Sequence, residues 1–467
     1  MHFEPKSTPF GYQSLAHCAT TDNNASAREP AMTTSRKVVQ QGLVLLVSNV
    51  GSGAIQVAYT FALARVLVPT DYGAYVALIS AFGILGLVTS GIQPTVARRV
   101  AVHGAPSRLT DAIRLATKGW ATPVALATMA VSGTLIVATP SIQAEFGLAS
   151  PWPVWLLAPL TALIVITPAL RGTVQGGRHF TALAGLSTVD VVTRAGFGVA
   201  LGWFGGGVTG AIGAQLAGAV VGTIATFAYL NHQGRTQPRQ IETFPTGSAP
   251  AAPAAPRHNH WSTHLIGAES QSMIASGCIL VMLTLDAALV ARFFNAEDTA
   301  TYSAVTILGR SQFYLSATVA TLLLPYASSP GRGKPLTALG FGLAVTGGLN
   351  TAGLLVLIAI PDLVVRVLYG QAYASAAPLL WHYGFHAMML SLANVVATYL
   401  IACGSRSIGI VALACATFQI AAVTLWHPTL DAVIIGLGVG SGAFLLGTLV
   451  MVYSANSGLS SNQAART

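Results

Sequence analysis

Apolar stretches long enough to cross a bilayer recur twelve times along the chain, separated by shorter polar or charged segments. A transmembrane helix needs about 20 predominantly apolar residues, and each stretch reaches roughly that length. They lie near residues 39–65, 72–96, 119–139, 153–174, 181–204, 207–231, 264–292, 299–326, 335–360, 376–402, 407–426 and 430–454. The pattern predicts an all-α polytopic membrane protein with about twelve transmembrane helices.

The second half of the chain repeats landmarks of the first half in the same order. Ala64-Arg65 precedes Asp71 and Tyr75, and 227 residues later the same residue types recur as Ala291-Arg292, Asp298 and Tyr302. Three further matches follow in register: Phe146-Gly147 with Tyr369-Gly370, Gly176-x-Arg178 with Gly404-x-Arg406, and Trp203 with Trp426. The repeat predicts two pseudo-symmetric six-helix lobes, an arrangement common in transporters, whose substrate site lies between the halves.

Hydropathy and the repeat together divide the chain into five segments. We expect a polar cytoplasmic tail at 1–37, a first lobe at 38–231, an Ala/Pro-rich cytoplasmic linker at 232–263, a second lobe at 264–456 and a cytoplasmic tail at 457–467. Met32 offers a second plausible start, so residues 1–31 are either a disordered tail or an untranslated segment.

Composition supports the membrane assignment, and the placement of basic residues predicts its orientation. Hydrophobic residues make up 53% of the chain and charged residues only 8%, against about 25% charged residues in soluble domains. Of the 23 Lys and Arg residues, 17 fall in the two tails or in the connections that follow even-numbered spans, and Arg171 lies at the end of the fourth span, next to such a connection. Because positive charge stays cytoplasmic, both termini are predicted to lie on the cytoplasmic side of the membrane. The net charge of +9 then reflects topology, and no nucleic-acid partner is predicted.

Two predicted spans carry arginines deep in the membrane, where ionisable groups are costly and usually functional. Asp190 and Arg194 in the fifth span are one turn apart, so they can pair as neutral structural partners or serve a site. Arg310 in the eighth span shares a polar stripe with Tyr302 and Thr306. An inward-facing arginine suits bidentate capture of phosphate. The alternative is an interhelical salt bridge to Glu269 or Asp286.

The first and seventh spans supply the remaining candidate residues. Asn49, Gln56 and Tyr59 lie on one polar face of the first span, which predicts a cavity lining or a helix contact through small residues. In the seventh span, Glu269 and Asp286 are separated by about 25 Å of helix, too far apart for a catalytic carboxylate pair. Each is a candidate gate, ion-coupling site or partner for an arginine.

The sequence disfavours an enzyme and predicts no metal site or bound cofactor. The predicted outer connections are short, and Gly205-Gly206-Gly207 has no following Lys-Ser/Thr that would indicate a nucleotide-phosphate loop. The four cysteines show neither pairing nor metal-ligand spacing. A proton or sodium gradient is therefore the candidate driving force.

The chain resembles the polysaccharide transporter branch of the multidrug/oligosaccharidyl-lipid/polysaccharide exporter superfamily, which includes O-antigen and exopolysaccharide repeat-unit flippases. The resemblance lies in Ala64–Leu67, Asp71–Tyr75, Leu170–Gly176, Phe180, Leu285-Asp286, Ala291–Phe293, Tyr302, Leu324-Pro325, Tyr369-Gly370 and Tyr373-Ala374. It implies a V-shaped membrane protein that moves polyprenyl-pyrophosphate-linked oligosaccharides to the outer leaflet by alternating access, for polysaccharide or lipopolysaccharide biosynthesis. Lipid-linked oligosaccharide, membrane lipids and a glycan polymerase or glycosyltransferases are the implied partners.

The same resemblance implies a cationic cavity, lined by the first, second, seventh and eighth spans, that faces the lipid pyrophosphate. Arg310 and Arg194 are the deeply placed bases, and Asp190 beside Arg194 makes Arg310 the leading candidate. Two other functions stay open: a cation-coupled multidrug antiporter of the same superfamily, and a non-transporting scaffold for a glycan-synthesis complex. Two buried arginines would repel a cationic substrate, whereas a scaffold has no use for polar cavity faces.

Overall fold

The structure is a computed structural model. It describes residues 48, 51–89, 92–93, 96–97, 100, 121–177, 179–236, 268–327, 335–403, 405 and 407–464. The tail at 1–37 and most of the linker at 232–263 lie outside the described residues.

Besides the separate helical residues at 48, 92–93, 96–97 and 100, the described residues form fourteen continuous α-helices, seven in each half of the chain. In the first half these are α1 (51–66), α2 (Pro69–Thr89), α3 (Ala121–Val137), α4 (Thr139–Phe146), α5 (Trp152–Gly176), α6 (Phe180–Trp203) and α7 (Gly207–Thr236). In the second half they are α8 (Ala268–Phe293), α9 (Ala296–Ala327), α10 (Pro335–Ala359), α11 (Pro361–Leu368), α12 (Leu380–Ala402), α13 (Ile408–Leu425) and α14 (Leu430–Ala464). A 3₁₀ segment, Gln371–Leu379, joins α11 to α12. Each helix of the first half thus has a counterpart seven helices later, and the predicted all-α fold of two pseudo-symmetric lobes is confirmed.

Twelve long helices occupy the positions of the twelve predicted spans. Seven of them are long and apolar enough to cross a membrane by length and composition, or eight if α3 and α4, bent by 63°, form one broken span. The helices α1, α2, α6 and α9 take the places of the other predicted spans. Many large apolar side chains point outward, such as Val137 and Trp203, which are 82% and 77% exposed. Lipid accommodates such a surface, so the chain is a multi-pass membrane protein.

The short helices α4 and α11 show the repeat in three dimensions. Both are eight residues long and have proline in the first turn, where its fixed φ suits helix initiation. Each is followed by a glycine of the sequence repeat in a left-handed conformation, Gly147 with φ 60° and Gly370 with φ 96°. Only glycine adopts such φ values without strain. Hydropathy predicts a loop at 140–152, whereas α4 occupies its first half.

Two further boundaries differ from the hydropathy prediction because polar residues at the helix ends extend the helical hydrogen bonding past the apolar stretch. The helix α7 continues to Thr236, five residues beyond the predicted end of the first lobe. The helix α14 continues to Ala464, into the segment predicted as a tail.

Among the residues that the structure describes, the hydrophobic core is shared between the lobes at one end of the bundle. The largest buried cluster combines residues of both lobes near the connections at 67–68, 204–206, 294–295 and 426–429, and we call this the closed end. The other clusters each belong to one lobe: one to the second lobe, around Met282 and Leu390, and two to the first, around Val96 and Val174. The sequence predicts that the closed end is the outer end. The lobes are thus joined there, chiefly where α2 packs on α8 and α9.

Candidate functional site

A buried polar network at the lobe interface is centred on Asp286 of α8. Its Oδ1 receives a hydrogen bond from Arg310 Nη2 at 2.8 Å, and its Oδ2 accepts from the hydroxyls of Tyr302 at 3.0 Å and Tyr383 at 2.7 Å. The Asp286 side chain is fully buried and that of Arg310 is 9% exposed. Such a pair persists away from water only when its hydrogen bonds are satisfied. Here the carboxylate has three donors.

Arg310 also connects the two lobes. Its Nε donates to the Leu283 carbonyl and its Nη2 to the Thr284 carbonyl, both at 3.0 Å. Its Nη1 donates to Ser80 Oγ on α2 of the first lobe, also at 3.0 Å. Four hydrogen bonds therefore occupy a group with five N–H donors. In this conformation Arg310 has the salt bridge to Asp286 that the sequence leaves open as an alternative to phosphate binding.

The polar stripe of α9 is buried as a unit. Tyr302 and Thr306 are both fully buried beside Arg310. The Thr306 hydroxyl donates to the Ser303 carbonyl at 3.0 Å, so in this conformation it bonds to its own helix. The network extends from Tyr383 to His386, whose ring centroids are 5.1 Å apart, and from His386 Nδ1 to Ser441 Oγ at 2.9 Å.

A second network lies within the first lobe and contains three charges. Asp190 Oδ1 accepts from Arg194 Nη2 at 3.0 Å, one turn further along α6, and Asp190 Oδ2 accepts from Arg171 Nη2 of α5 at 3.1 Å. Arg194 Nη1 donates to Gln56 Oε1 of α1 at 3.2 Å. The spacing predicts the pairing of Asp190 with Arg194. From the sequence, Arg171 is expected only to help set the membrane topology, and nothing in its local sequence indicates the second pairing.

Of the remaining predicted site residues on α1 and α8, the structure places Tyr59 in a packing contact between helices. Tyr59 is buried and packs so closely on Gly198 of α6 that a Cβ there would lie 2.3 Å from the ring. It lies beside Tyr75, whose hydroxyl accepts from Gln215 Nε2 at 2.6 Å. Tyr59 is therefore a helix-packing residue in this conformation. Asn49 and the side chain of Glu269 lie outside the described residues.

At the closed end the lobes meet at positions related by the repeat. Gly73 lies against Ala300, its counterpart at the same 227-residue offset, and a Cβ on Gly73 would lie 2.8 Å from the Ala300 nitrogen. Equivalent residues can contact each other only near the axis that relates the lobes, so the pseudo-twofold axis passes between α2 and α9 here. Tyr72 packs edge-on against Tyr373 of the opposite lobe, with ring centroids 5.8 Å apart.

Two repeat-related arginines cross between the lobes at the same end. Arg65 of the first lobe donates to the Arg366, Val367 and Leu368 carbonyls at the C-terminus of α11. Those carbonyls have no partners within their own helix, and a cation there also interacts favourably with the helix dipole. Arg292 of the second lobe pairs with Glu145 of α4. An arginine of each lobe thus binds the short helix of the other lobe, Arg65 to α11 and Arg292 to α4. The two contacts join the lobes across the closed end.

Comparison with solved structures defines the class of this fold. It is similar to a structure titled "Lipid II flippase MurJ, inward closed conformation", with TM-score 0.61 and 12% identity over 88% of this chain and 87% of that one. It is also similar to the inward-facing conformation of a multidrug resistance MATE family transporter of the MOP superfamily, with TM-score 0.57 and 14% identity over 88% and 98% of the two chains. The outward-facing conformation of such a transporter gives TM-score 0.54 and 14% identity over 90% and 96%. The fold is that of the MOP-superfamily transporters.

Sequence comparison then identifies the family. Residues 38–330 match the polysaccharide biosynthesis protein family, and the chain belongs to it. The family predicted from the repeated hairpin motifs is confirmed. Comparison with curated proteins gives no significant match.

Proposed function

We propose that this protein is an inner-membrane flippase that moves polyprenyl-pyrophosphate-linked oligosaccharide repeat units to the outer leaflet by alternating access. Membership of the polysaccharide biosynthesis family carries the proposal. A repeat unit made on a lipid carrier must cross the membrane before assembly outside, and a fold of two lobes joined at one end supports such a step. The protein then acts as a transporter, not as an enzyme, for a glycan polymerase or glycosyltransferases, with both termini in the cytoplasm.

The charges of the described membrane residues favour this substrate over a cationic drug. Capture of a cation needs an available carboxylate, whereas Asp190 is paired with Arg171 and Arg194, and Asp286 with Arg310. The antiporter function therefore has support from the shared fold but none from the observed charges.

Depletion of the protein provides the direct test. We expect one polyprenyl-linked oligosaccharide to accumulate, detectable by mass spectrometry of extracted lipids, and to resist a membrane-impermeant label because it stays in the inner leaflet. Re-expression of the wild-type protein should restore labelling. If no glycan lipid accumulates and sensitivity to cationic compounds rises instead, the flippase proposal fails and the antiporter function replaces it.

We further propose that a proton or sodium gradient drives transport through Asp286. Neutralisation of this carboxylate would weaken the ion pair that keeps Arg310 linked to Ser80 of the first lobe. Ion binding would thereby loosen contact between the lobes. Asp190 is the weaker candidate because two guanidinium groups already compensate it.

Vesicles with imposed gradients test the coupling. Wild-type transport should accelerate when one of the two gradients is applied, and Asp286→Asn should remove that acceleration while Asp190→Asn retains it. Wild-type transport that responds to neither gradient would exclude coupling through Asp286.

A further inference from the structure

A groove on the outside of the second lobe lies between α12 and α14, near the closed end, where both helices begin. Its volume is about 350 Å³. Its walls include Trp381 and Phe385, one turn apart on α12, and Ile435 and Val439, one turn apart on α14. All four side chains are about half-exposed. The groove is therefore an apolar recess that opens towards lipid.

The size of the groove suits a lipid chain better than a helix. Gly438 of α14 also lines it, and a Cβ at Gly438 would have no neighbour within 4 Å. One turn of a helix about 10 Å across and 5.4 Å long has a volume of about 420 Å³, so the groove holds less than one turn of a partner helix. An acyl chain is only one CH₂ group wide, and burial of each CH₂ against apolar side chains is favourable.

A polar pair lies at the end of the groove nearest the membrane surface. His382 of α12 lines the groove, and its Nδ1 is 3.2 Å from Oδ1 of Asp431, in the first turn of α14. The contact lacks the geometry of a hydrogen bond, so this nitrogen has no hydrogen-bond partner among the described residues. The Asp431 side chain is 52% exposed. Trp381, beside His382, is of the residue type that favours the headgroup level.

The pair and the recess together match a zwitterionic aminophospholipid. The ammonium group of such a lipid can donate to the Asp431 carboxylate, and its phosphate oxygens can accept from the His382 imidazole. An anionic phospholipid has no ammonium group and would place its phosphate beside the carboxylate, where like charges repel. A polyprenyl phosphate has the same disadvantage. The charges at the groove therefore favour a headgroup that carries both signs.

We propose that the groove between α12 and α14 binds a phospholipid with an ethanolamine headgroup, one acyl chain in the recess and the headgroup on His382 and Asp431. The inner faces of the same two helices carry residues of the buried network: Tyr383, which donates to Asp286, and His386, which contacts Ser441. Bound lipid thus packs against the helices that hold this network. The site does not depend on which substrate the protein transports.

Native mass spectrometry of the delipidated full-length protein in detergent tests the site. The probes are phosphatidylethanolamine, phosphatidylglycerol and phosphatidylcholine with the same acyl chains. We expect one phosphatidylethanolamine to bind about tenfold more tightly than either of the others, the range for one hydrogen bond to a charged group. Phosphatidylglycerol lacks the ammonium group, and the ammonium group of phosphatidylcholine has no N–H. Asp431→Asn should remove this preference.

A filled groove provides the second test. Gly438→Leu places a side chain in the recess and should weaken phosphatidylethanolamine binding about tenfold or more. Because leucine has a higher helix propensity than glycine, we expect the variant to fold. Gly442→Leu, one turn further along α14, is the matched control: a Cβ there also has no neighbour within 4 Å, and the residue lies outside the groove. Its lipid binding should equal that of the wild type.

Four results would overturn the proposal. The wild type could bind the three phospholipids equally, or Gly438→Leu and Gly442→Leu could bind phosphatidylethanolamine equally. Displacement of phosphatidylethanolamine by an equal concentration of polyprenyl phosphate would assign the groove to a lipid carrier instead. A dimer that Gly438→Leu disrupts and Gly442→Leu retains would assign it to a second copy of the chain.

Discussion

Arg310→Ala is expected to abolish glycan export. Arg310 makes four hydrogen bonds and is the side chain through which the Asp286 network reaches Ser80 of the first lobe. Its removal leaves the fully buried Asp286 carboxylate with only two tyrosine hydroxyls. Breaking a buried ion pair in this way costs about 3–5 kcal/mol. The measurement is the amount of surface glycan, normalised to the abundance of the protein in the membrane.

A second substitution separates a transport function of Arg310 from a structural one. The double variant Arg310→Ala/Asp286→Asn removes the uncompensated charge and should restore abundance. Export that stays absent would place the Arg310–Asp286 pair in the transport cycle, whereas restored export would make the pair purely structural. Arg310→Lys keeps the charge but loses the fork, so we expect partial export. Full export in Arg310→Ala at normal abundance would contradict the prediction.

The long helices were predictable because each requires a continuous apolar stretch, which can be read from one segment alone. The short helices α4 and α11 were not. Eight residues are too few for an apolar stretch that spans a membrane, and Pro140 and Pro361 are equally compatible with loops and with helix starts. Hydropathy alone therefore left the segment at 140–152 without a helix.

Whether a contact in the candidate site could be predicted depends on how far apart its two residues are along the chain. The pairing of Asp190 with Arg194 follows from their separation of one helical turn. The contact of Tyr383 with Asp286 joins residues 97 apart, and that of Arg310 with Ser80 joins residues 230 apart. Those partners depend on how the helices pack, which the spacing of one segment does not encode. Arg310 was therefore identifiable as an important residue, but its partner was open between two carboxylates.

The sequence repeat identifies equivalent positions in the two lobes but not the contacts between them. The 227-residue offset aligns Gly73 with Ala300 as well as Arg65 with Arg292. The offset shows that these positions are equivalent, but it does not show which of them lie near the axis. In the structure Gly73 contacts Ala300, whereas Arg65 and Arg292 each contact the short helix of the opposite lobe.

Gly73→Val is expected to open the closed end and to reduce export severely. A Cβ at this position would lie 2.8 Å from the Ala300 nitrogen and 2.9 Å from its Cα. These are backbone atoms of α9, so the lobes must separate to relieve the clash. Overpacking of this kind costs about 1–3 kcal/mol, which would shift an equilibrium between two conformations about 5- to 150-fold. A transporter that must close this end in each cycle would then rarely complete the cycle.

Accessibility of the closed end measures the effect separately from export. Thr299, beside Ala300, is buried, so in a background without the native cysteines Thr299→Cys should resist an impermeant maleimide. Addition of Gly73→Val should make it reactive from outside the cell. Gly133→Val in α3 is the matched control, because a Cβ at Gly133 has no neighbour within 4 Å. Export and labelling should then stay at wild-type levels. Normal export in Gly73→Val, with Thr299→Cys still protected, would show that the lobes accommodate the added side chain without separating and would contradict the prediction.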